Sequence, residues 1–304
     1  MELAQIAERF NVEGRLVTIK AIESGNVNDT YIAFFRTHFS EERVVLQRIN
    51  RRVFARPEWI MANMRAVTDH VHRRLKLEED TADRIWQLPR VIPTKDGNDF
   101  FVDASGEYWR AITLIASATS YNCAQGAEHA YEVGAVLGQF HRLISDLDPH
   151  LLRDTLPGFH VTPKYLEKYD ATLHTDEARS RLAGSIEARR LSRFVEERRT
   201  FVGILESALA GGELSLRNIH GDPKVNNIMI DDLSGKGTCI VDLDTVKPGL
   251  IHYDFGDALR SIGNSAGEDA ETLSQVVFDV DLCEAFVKGY LRPARDFMTD
   301  ADRH

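Results

Sequence analysis

Apolar positions in the first third of the chain come in short runs cut by polar turns. Arg15–Ser24 carries Leu16, Val17, Ile19 and Ile22; Thr30–Arg36 reads Thr-Tyr-Ile-Ala-Phe-Phe-Arg; Arg43–Ile49 reads Arg-Val-Val-Leu-Gln-Arg-Ile. Runs of this length, rich in β-branched and aromatic residues and separated by Gly, Asn and Asp, predict an antiparallel meander. Between the first two, Ser24-Gly25-Asn26-Val27-Asn28-Asp29 has the composition of a hairpin tip. The period then changes. Ile60, Met64, Val67, Val71 and Leu75 recur at steps of three and four, which predicts a helix over Pro57–Leu77 with Pro57 in its first turn. Two further β runs, about Arg90–Thr94 and Phe100–Val102, and a strand over Tyr108–Ile115 complete this β-rich part.

Beyond the small-residue run Ala116–Ser120 the pattern becomes helical. Val133, Leu137, Phe140 and Ile144 mark a helix over Glu128–Ile144, and Tyr165–Leu173 and Glu177–Leu209 follow, the last interrupted near Gly184. One β island, Asn227–Asp231 and Thr238–Asp242, joined by Ser234-Gly235-Lys236-Gly237, sits inside the helical part. Residues 264–272 read as a surface loop. The fold class expected is α+β, with a boundary at the 116–120 run: residues 1–116 form a β-rich lobe and 117–304 a mainly helical one.

Composition narrows the function classes. The chain has 304 residues, enough for one large domain or two lobes, and a formal charge of −10 without a long basic run. Phosphate-backbone binding needs clustered Lys and Arg, so no nucleic acid is expected as a partner. Cys123, Cys239 and Cys283 lie far apart, match no zinc spacing and form no even disulfide set. Reduced thiols in a cytoplasmic protein are expected. No run approaches a membrane span, and the acidic, amphipathic N-terminal decapeptide does not read as a signal peptide.

The candidate chemistry is concentrated in Ile219-His220-Gly221-Asp222-Pro223-Lys224-Val225-Asn226-Asn227-Ile228. Phosphoryl transfer to a hydroxyl needs a carboxylate to orient the hydroxyl and take its proton, cations for the phosphates, and oxygen ligands for magnesium. Asp222 can be that carboxylate and Lys224 the cation, while Asn227 can offer a carboxamide oxygen. A hairpin between residues 227 and 242 would bring Asn227 and Asp242 to one edge. Each of these residues also has a bland reading, as a polar hairpin with a surface lysine; the combination at this spacing favours function.

The stretch His220–Asn227 resembles the catalytic loop of the protein-kinase-like superfamily, and its His-Gly-Asp start is similar to the aminoglycoside-phosphotransferase branch. Val241-Asp242-Leu243-Asp244 resembles the metal-binding strand of that branch. Val45–Asn50, Gly25–Tyr31, Asp242–Val246 and Tyr253-Asp254-Phe255-Gly256-Asp257 resemble the N-acetylhexosamine 1-kinase group within it. The resemblance covers nearly the whole chain. It implies a bilobal protein-kinase-like fold, a small antiparallel sheet lobe with one helix and a larger mainly helical lobe, with ATP between them. It implies that Asp222 is the base, that Asn227 and Asp242 hold Mg2+ with Asp244 assisting metal or substrate, that Lys224 neutralises the γ-phosphate, and that His220 packs the loop. Gly25, Asn28, Thr30 and Gln47 would face the nucleotide. The acceptor implied is a sugar, an N-acetylhexosamine phosphorylated on its anomeric hydroxyl; another small-molecule hydroxyl, of an amino alcohol, an aminoglycoside or another sugar, and a non-catalytic nucleotide-binding pseudokinase are the alternatives.

Two departures matter. The hairpin tip has one glycine, Gly25, where many kinases use three. The third strand has Gln47 where a phosphate-binding lysine is usual, and Arg48, next along, points to the opposite face by alternation. Either Gln47 hydrogen-bonds the phosphates or another cation enters. Trp109 and Arg110, near the expected hinge, have two readings, packing or contact with the nucleotide, and packing is the one expected. Asp254, despite the Asp-Phe-Gly letters that follow from it, is expected to cap a helix over Asp254–Ile262 and anchor the loop.

Overall fold

The structure is a computed structural model and describes residues 2–22, 27–78, 84–268, 270, 274 and 276–303. The chain forms two compact units, residues 1–156 with 217–298, and 157–216 with 299–304. The expected boundary at residue 116 falls inside the first unit.

The first unit begins with a short helix, α1 (Leu3–Ala7), and the meander β1 (Arg15–Ile22), β2 (Asp29–Arg36) and β3 (Glu41–Ile49). Helix α2 (Pro57–Leu77) follows, with Pro57 at its start as expected, then β4 (Val91–Ile92), β5 (Phe101–Val102) and β6 (Tyr108–Thr113). These strands form one antiparallel sheet in the order β1-β2-β3-β6-β4, with β5 also on β6. Alternation gives the sheet two chemically different faces. Ala33, Phe35, Val44, Leu46 and Trp109 join Ile6 and Phe10 in a core under one face. The other face carries a row in register across three strands, Thr30 opposite Gln47 and Gln47 opposite Arg110.

The run expected as a hinge is partly a strand, β7 (Ala118–Ser120), because its backbone pairs with a strand of the β island. Helix α3 (Ala127–Ile144) then crosses the second core. In the second unit, α4 (Thr162–Leu173) covers the helix expected over Tyr165–Leu173, and α5 (Asp176–Gly184), α6 (Ile186–Arg198) and α7 (Ile204–Ala210) divide the long stretch expected over Glu177–Leu209. Thr175 and Ser185 accept hydrogen bonds from the backbone amides of Ala178 and Ala188, so each starts a new helix as an N-cap.

Back in the first unit, β8 (Arg217–Ile219), β9 (Ile228–Asp231), β10 (Gly237–Ile240) and β11 (Lys247–Gly249) frame the candidate loop: β9 lies between β10 and β7, and β8 pairs with β11. Helices α8 (Ile251–Gly263) and α9 (Val280–Ala294) close the core. No pattern argument above identified α9, yet it packs most closely of all. Built as alanine, Gly289 would place its Cβ 1.9 Å from the Tyr131 carbonyl oxygen, and Gly134 would place its own 2.1 Å from that of Phe286. Only glycine lets α3 and α9 approach backbone to backbone. Among the described residues no helix is long and apolar enough to cross a membrane.

Candidate active site

The loop between β8 and β9 is held by buried polar anchors before any catalytic group enters. Gly221 turns it with φ of +86°, and a Cβ there would lie 2.6 Å from the Thr245 carbonyl oxygen, so glycine is required. Asp254, fully buried, accepts from the backbone amides of His220 (2.6 Å) and Gly221 (2.8 Å) and from His141 Nε2 (2.8 Å), while His141 Nδ1 meets the Tyr290 hydroxyl at 2.9 Å. Burial opposes its charge, but the hydrogen bond and charge of His141, helped by His220, hold the Asp254 carboxyl below its ordinary value. Asp254 is therefore the loop anchor expected. It is not the N-cap: α8 starts three residues earlier, after Leu250, because the apolar Ile251 belongs to its first turn and the core.

His220 is likewise buried. Its Nε2 donates to the Val241 carbonyl (2.9 Å) and its Nδ1 accepts from the Asp222 amide (3.2 Å), an arrangement that suits a neutral imidazole, and burial lowers its pKa. One uncharged ring thus ties the Asp222 turn to the segment leaving β10. On the other side, Asn63 of α2, fully buried, donates to the Val246 (2.9 Å) and Arg153 (2.7 Å) carbonyls, so α2 is fixed to this segment by a neutral amide.

A cleft of about 330 Å³ opens between the polar row of the sheet and this loop, all within the first unit. Asp222, Lys224, Asn227 and Asp242 line it from the loop side; Asn28, Thr30, Gln47 and Arg110 line it from the sheet side. Gly25 lies outside the described residues. Lys224 Nζ is 3.2 Å from Asp222 Oδ2, and although burial works against its charge, Asp222 outweighs that and raises its pKa. Asn227 donates its Nδ2 to the Asp222 carbonyl (2.7 Å) and carboxylate (3.2 Å), which leaves the carboxamide oxygen to face a cation. Its backbone carbonyl accepts from the Val241 amide (2.8 Å), so the residue before Asp242 is pinned beside it.

Asp242 is the strained member. It adopts φ +63° and ψ +61°, a left-handed conformation costly for a residue with a Cβ. Its side chain is exposed to the cleft it lines. Desolvation, followed by the neighbouring Asp244 and Asp222 carboxylates, pushes its carboxyl up to about 7. Among the described residues no three His, Cys, Asp or Glu form a metal cluster. Asn227 and Asp242 offer two oxygen donors amid excess negative charge, which fits a hard cation that completes its shell with phosphate oxygens and water.

Asp244, almost fully buried, is differently employed. Its Oδ1 accepts from Arg110 Nη1 at 2.5 Å, its Oδ2 from Asn28 Nδ2 at 2.7 Å, and its backbone carbonyl from the Thr155 hydroxyl at 2.7 Å. Arg110 Nε donates to Gln47 Oε1 (2.9 Å), and Gln47 Nε2 to the Thr30 hydroxyl (3.0 Å). Arg48 instead pairs with Asp29 on the opposite face, as alternation requires. Arg110, expected to pack with nucleotide contact as the alternative reading, lines the cleft from β6 and brings a positive charge to it.

The model of the phosphotransferase enzyme family, APH, matches residues 18–294. Choline kinase from Cryptosporidium parvum Iowa II has a similar structure over 99% of this chain and 82% of its own, at 14% identity and a TM-score of 0.62. An aminoglycoside phosphotransferase from Alicyclobacillus acidocaldarius subsp. acidocaldarius DSM 446 is similar over 99% of this chain and 80% of its own, at 12% identity and 0.60. A microcompartment-associated aminopropanol kinase is similar over 98% and 82%, at 16% identity and 0.58. At these identities the structural likeness speaks for the fold, an antiparallel sheet lobe joined to helices; the family match over most of the chain goes further, and the chain belongs to the phosphotransferase enzyme family.

Proposed function

We propose that the protein is an ATP- and Mg2+-dependent small-molecule kinase whose acceptor is a sugar hydroxyl, the anomeric hydroxyl of an N-acetylhexosamine. The observation that carries the kinase reading is the meeting of Asp222, Lys224, Asn227 and Asp242 in one cleft. In this reading Asp222 orients the acceptor hydroxyl and takes its proton as the phosphoryl group arrives. Lys224, tethered to Asp222, offsets charge on the transferring phosphate. Asn227 and Asp242 would hold the metal, which supplies neutralisation of phosphate charge and relieves the crowding of carboxylates around Asp242. Asp244 is kept for Arg110 and Asn28 rather than for the cation. The apolar part of the cleft, with Val45, Ile112 and Met229, suits a flat nucleobase. The work is done by position and charge, with no covalent enzyme intermediate. Residues 1–116 serve the nucleotide and 117–304 the chemistry and acceptor, in a cytoplasmic enzyme.

The sugar rests on the resemblance of the Val45–Asn50 and Asp242–Val246 stretches. Amino alcohols and aminoglycosides enter through the names of the structural neighbours. ADP release with MgATP should therefore be measured across N-acetylhexosamines, unmodified hexoses, choline, ethanolamine and aminoglycosides. Turnover is expected with an N-acetylhexosamine, and Asp222→Asn should lower kcat by about 10²–10⁴-fold with ATP affinity kept. Turnover confined to choline or an aminoglycoside overturns the sugar; ATP binding without turnover on any acceptor overturns the kinase.

A further inference from the structure

The row Thr30–Gln47–Arg110 is built across three strands, and its last member is unusual. Arg110 is only 1% exposed, yet it lines the cleft. Its Nε is spent on Gln47 and its Nη1 on Asp244. Its Nη2 has no hydrogen-bond partner among the described residues. Nη2 is not among the buried polar atoms left without a partner, so this end of the guanidinium reaches the cleft, where an anion can complete it.

We infer that Arg110 binds the phosphate chain of the nucleotide from the sheet side, through Nη2, and so supplies from β6 the charge that Gln47 does not supply from β3. Gln47 and Asp244 hold the guanidinium plane; neither can itself neutralise a phosphate. Two cations then flank the transferred group's path, Lys224 beside the base and Arg110 opposite, with the Asn227–Asp242 pair lining the same cleft. The fork of arginine suits this task, because one nitrogen can stay locked to a carboxylate while another reaches an oxygen of the ligand. A merely structural Arg110 would neutralise Asp244 and do nothing more.

This inference rests on the nucleotide reading above, and the test separates the two. MgATP and adenosine are titrated by calorimetry into the wild type, Arg110→Lys, Asp244→Asn, and the double variant Arg110→Gln with Asp244→Asn. The double variant removes both buried charges together, so no carboxylate is left unpaired. ATP affinity is expected to fall about ten- to hundredfold in the double variant. Adenosine affinity should be unchanged, and Asp244→Asn alone, which keeps the Arg110 charge, should lose much less ATP affinity than the double variant. Adding Gln47→Lys to the double variant should restore much of the ATP affinity, since residue 47 is the cross-strand neighbour of residue 110. Should the double variant not fold, Arg110→Lys, which keeps the charge and loses the fork, should raise KM for ATP and leave the acceptor KM alone. Wild-type ATP affinity in the double variant, or an unmoved KM for ATP in Arg110→Lys, overturns the role of Arg110 while leaving the kinase intact. A wild type that does not bind ATP overturns both.

Discussion

Asp254 and Asp242 stand on either side of the same loop and have opposite fates. Asp254 accepts from two backbone amides and a histidine, and its carboxyl is held below the ordinary value. Asp242 opens onto the cleft with two further carboxylates near it, and its carboxyl is pushed up to about 7. Asp254 is buried, whereas Asp242 is exposed to the cleft. What separates them is whether the chain itself provides the donors. A carboxylate completed by its own fold is an anchor; one left incomplete is an invitation to a ligand.

Substitution should break this pair apart. Asp242→Asn is expected to lower kcat by about 10³-fold and leave the protein folded, read by ADP release together with circular dichroism. Asp254→Asn should do the reverse kind of damage. Its new amide would turn a donor toward the amides and imidazole that now donate to the carboxylate, at a cost of about 3 kcal/mol, seen as a lower midpoint in urea. If Asp254→Asn kept full stability and lost only turnover, the distinction between anchor and ligand site would collapse.

The two residues also tilt stability in opposite directions with pH. A carboxyl raised in the folded state binds protons that the unfolded chain has released, so Asp242 makes the metal-free protein less stable as pH climbs from the ordinary carboxylate value towards 7. Asp254 and His220, both lowered, contribute stability that is present at neutral pH. His220 gives its share up as pH falls below about 6.5, and Asp254 as it falls below the usual carboxylate range. Without metal, Asp242→Asn should therefore melt higher than the wild type at neutral pH, by about 2 °C, and the difference should vanish near pH 4. Melting curves over that range check the sign. The smallest effect is expected far from both. Arg199, paired with Asp170 and Glu196 on exposed helices, should cost at most about 0.5 kcal/mol when changed to alanine, and less in high salt.

The sequence made one side of this comparison easier to see than the other. Asp222, Asn227 and Asp242 lie within one hairpin-like segment, so spacing alone suggested that they meet. Helix α2 was legible to the residue, since its apolar period is uninterrupted and a proline marks its start. Arg110 was not, because its meaning depends on β6 lying beside β3 in a set register, and strand order is a property of the whole sheet. The role of Asp254 as an anchor was legible, but its position within α8 was not, since the preceding apolar residues extend the helix backwards. The 116–120 run read as a linker because its residues are small; that they pair as a strand follows from where β9 lies. Helix α9 escaped notice because its glycine and proline lower helix propensity, and that same glycine is what its partner helix demands.

That glycine contact has a bearing on how the molecule is made. Gly134 and Gly289 are separated by about half the chain, so at common rates of synthesis α3 waits about ten seconds or more for the partner that covers it. Until then its small-residue groove is bare, and the walls behind the catalytic loop cannot set. Final assembly of the cleft therefore waits for α9, and a chain halted before α9 would hold every residue of the proposed chemistry and still lack the buttress that aligns it.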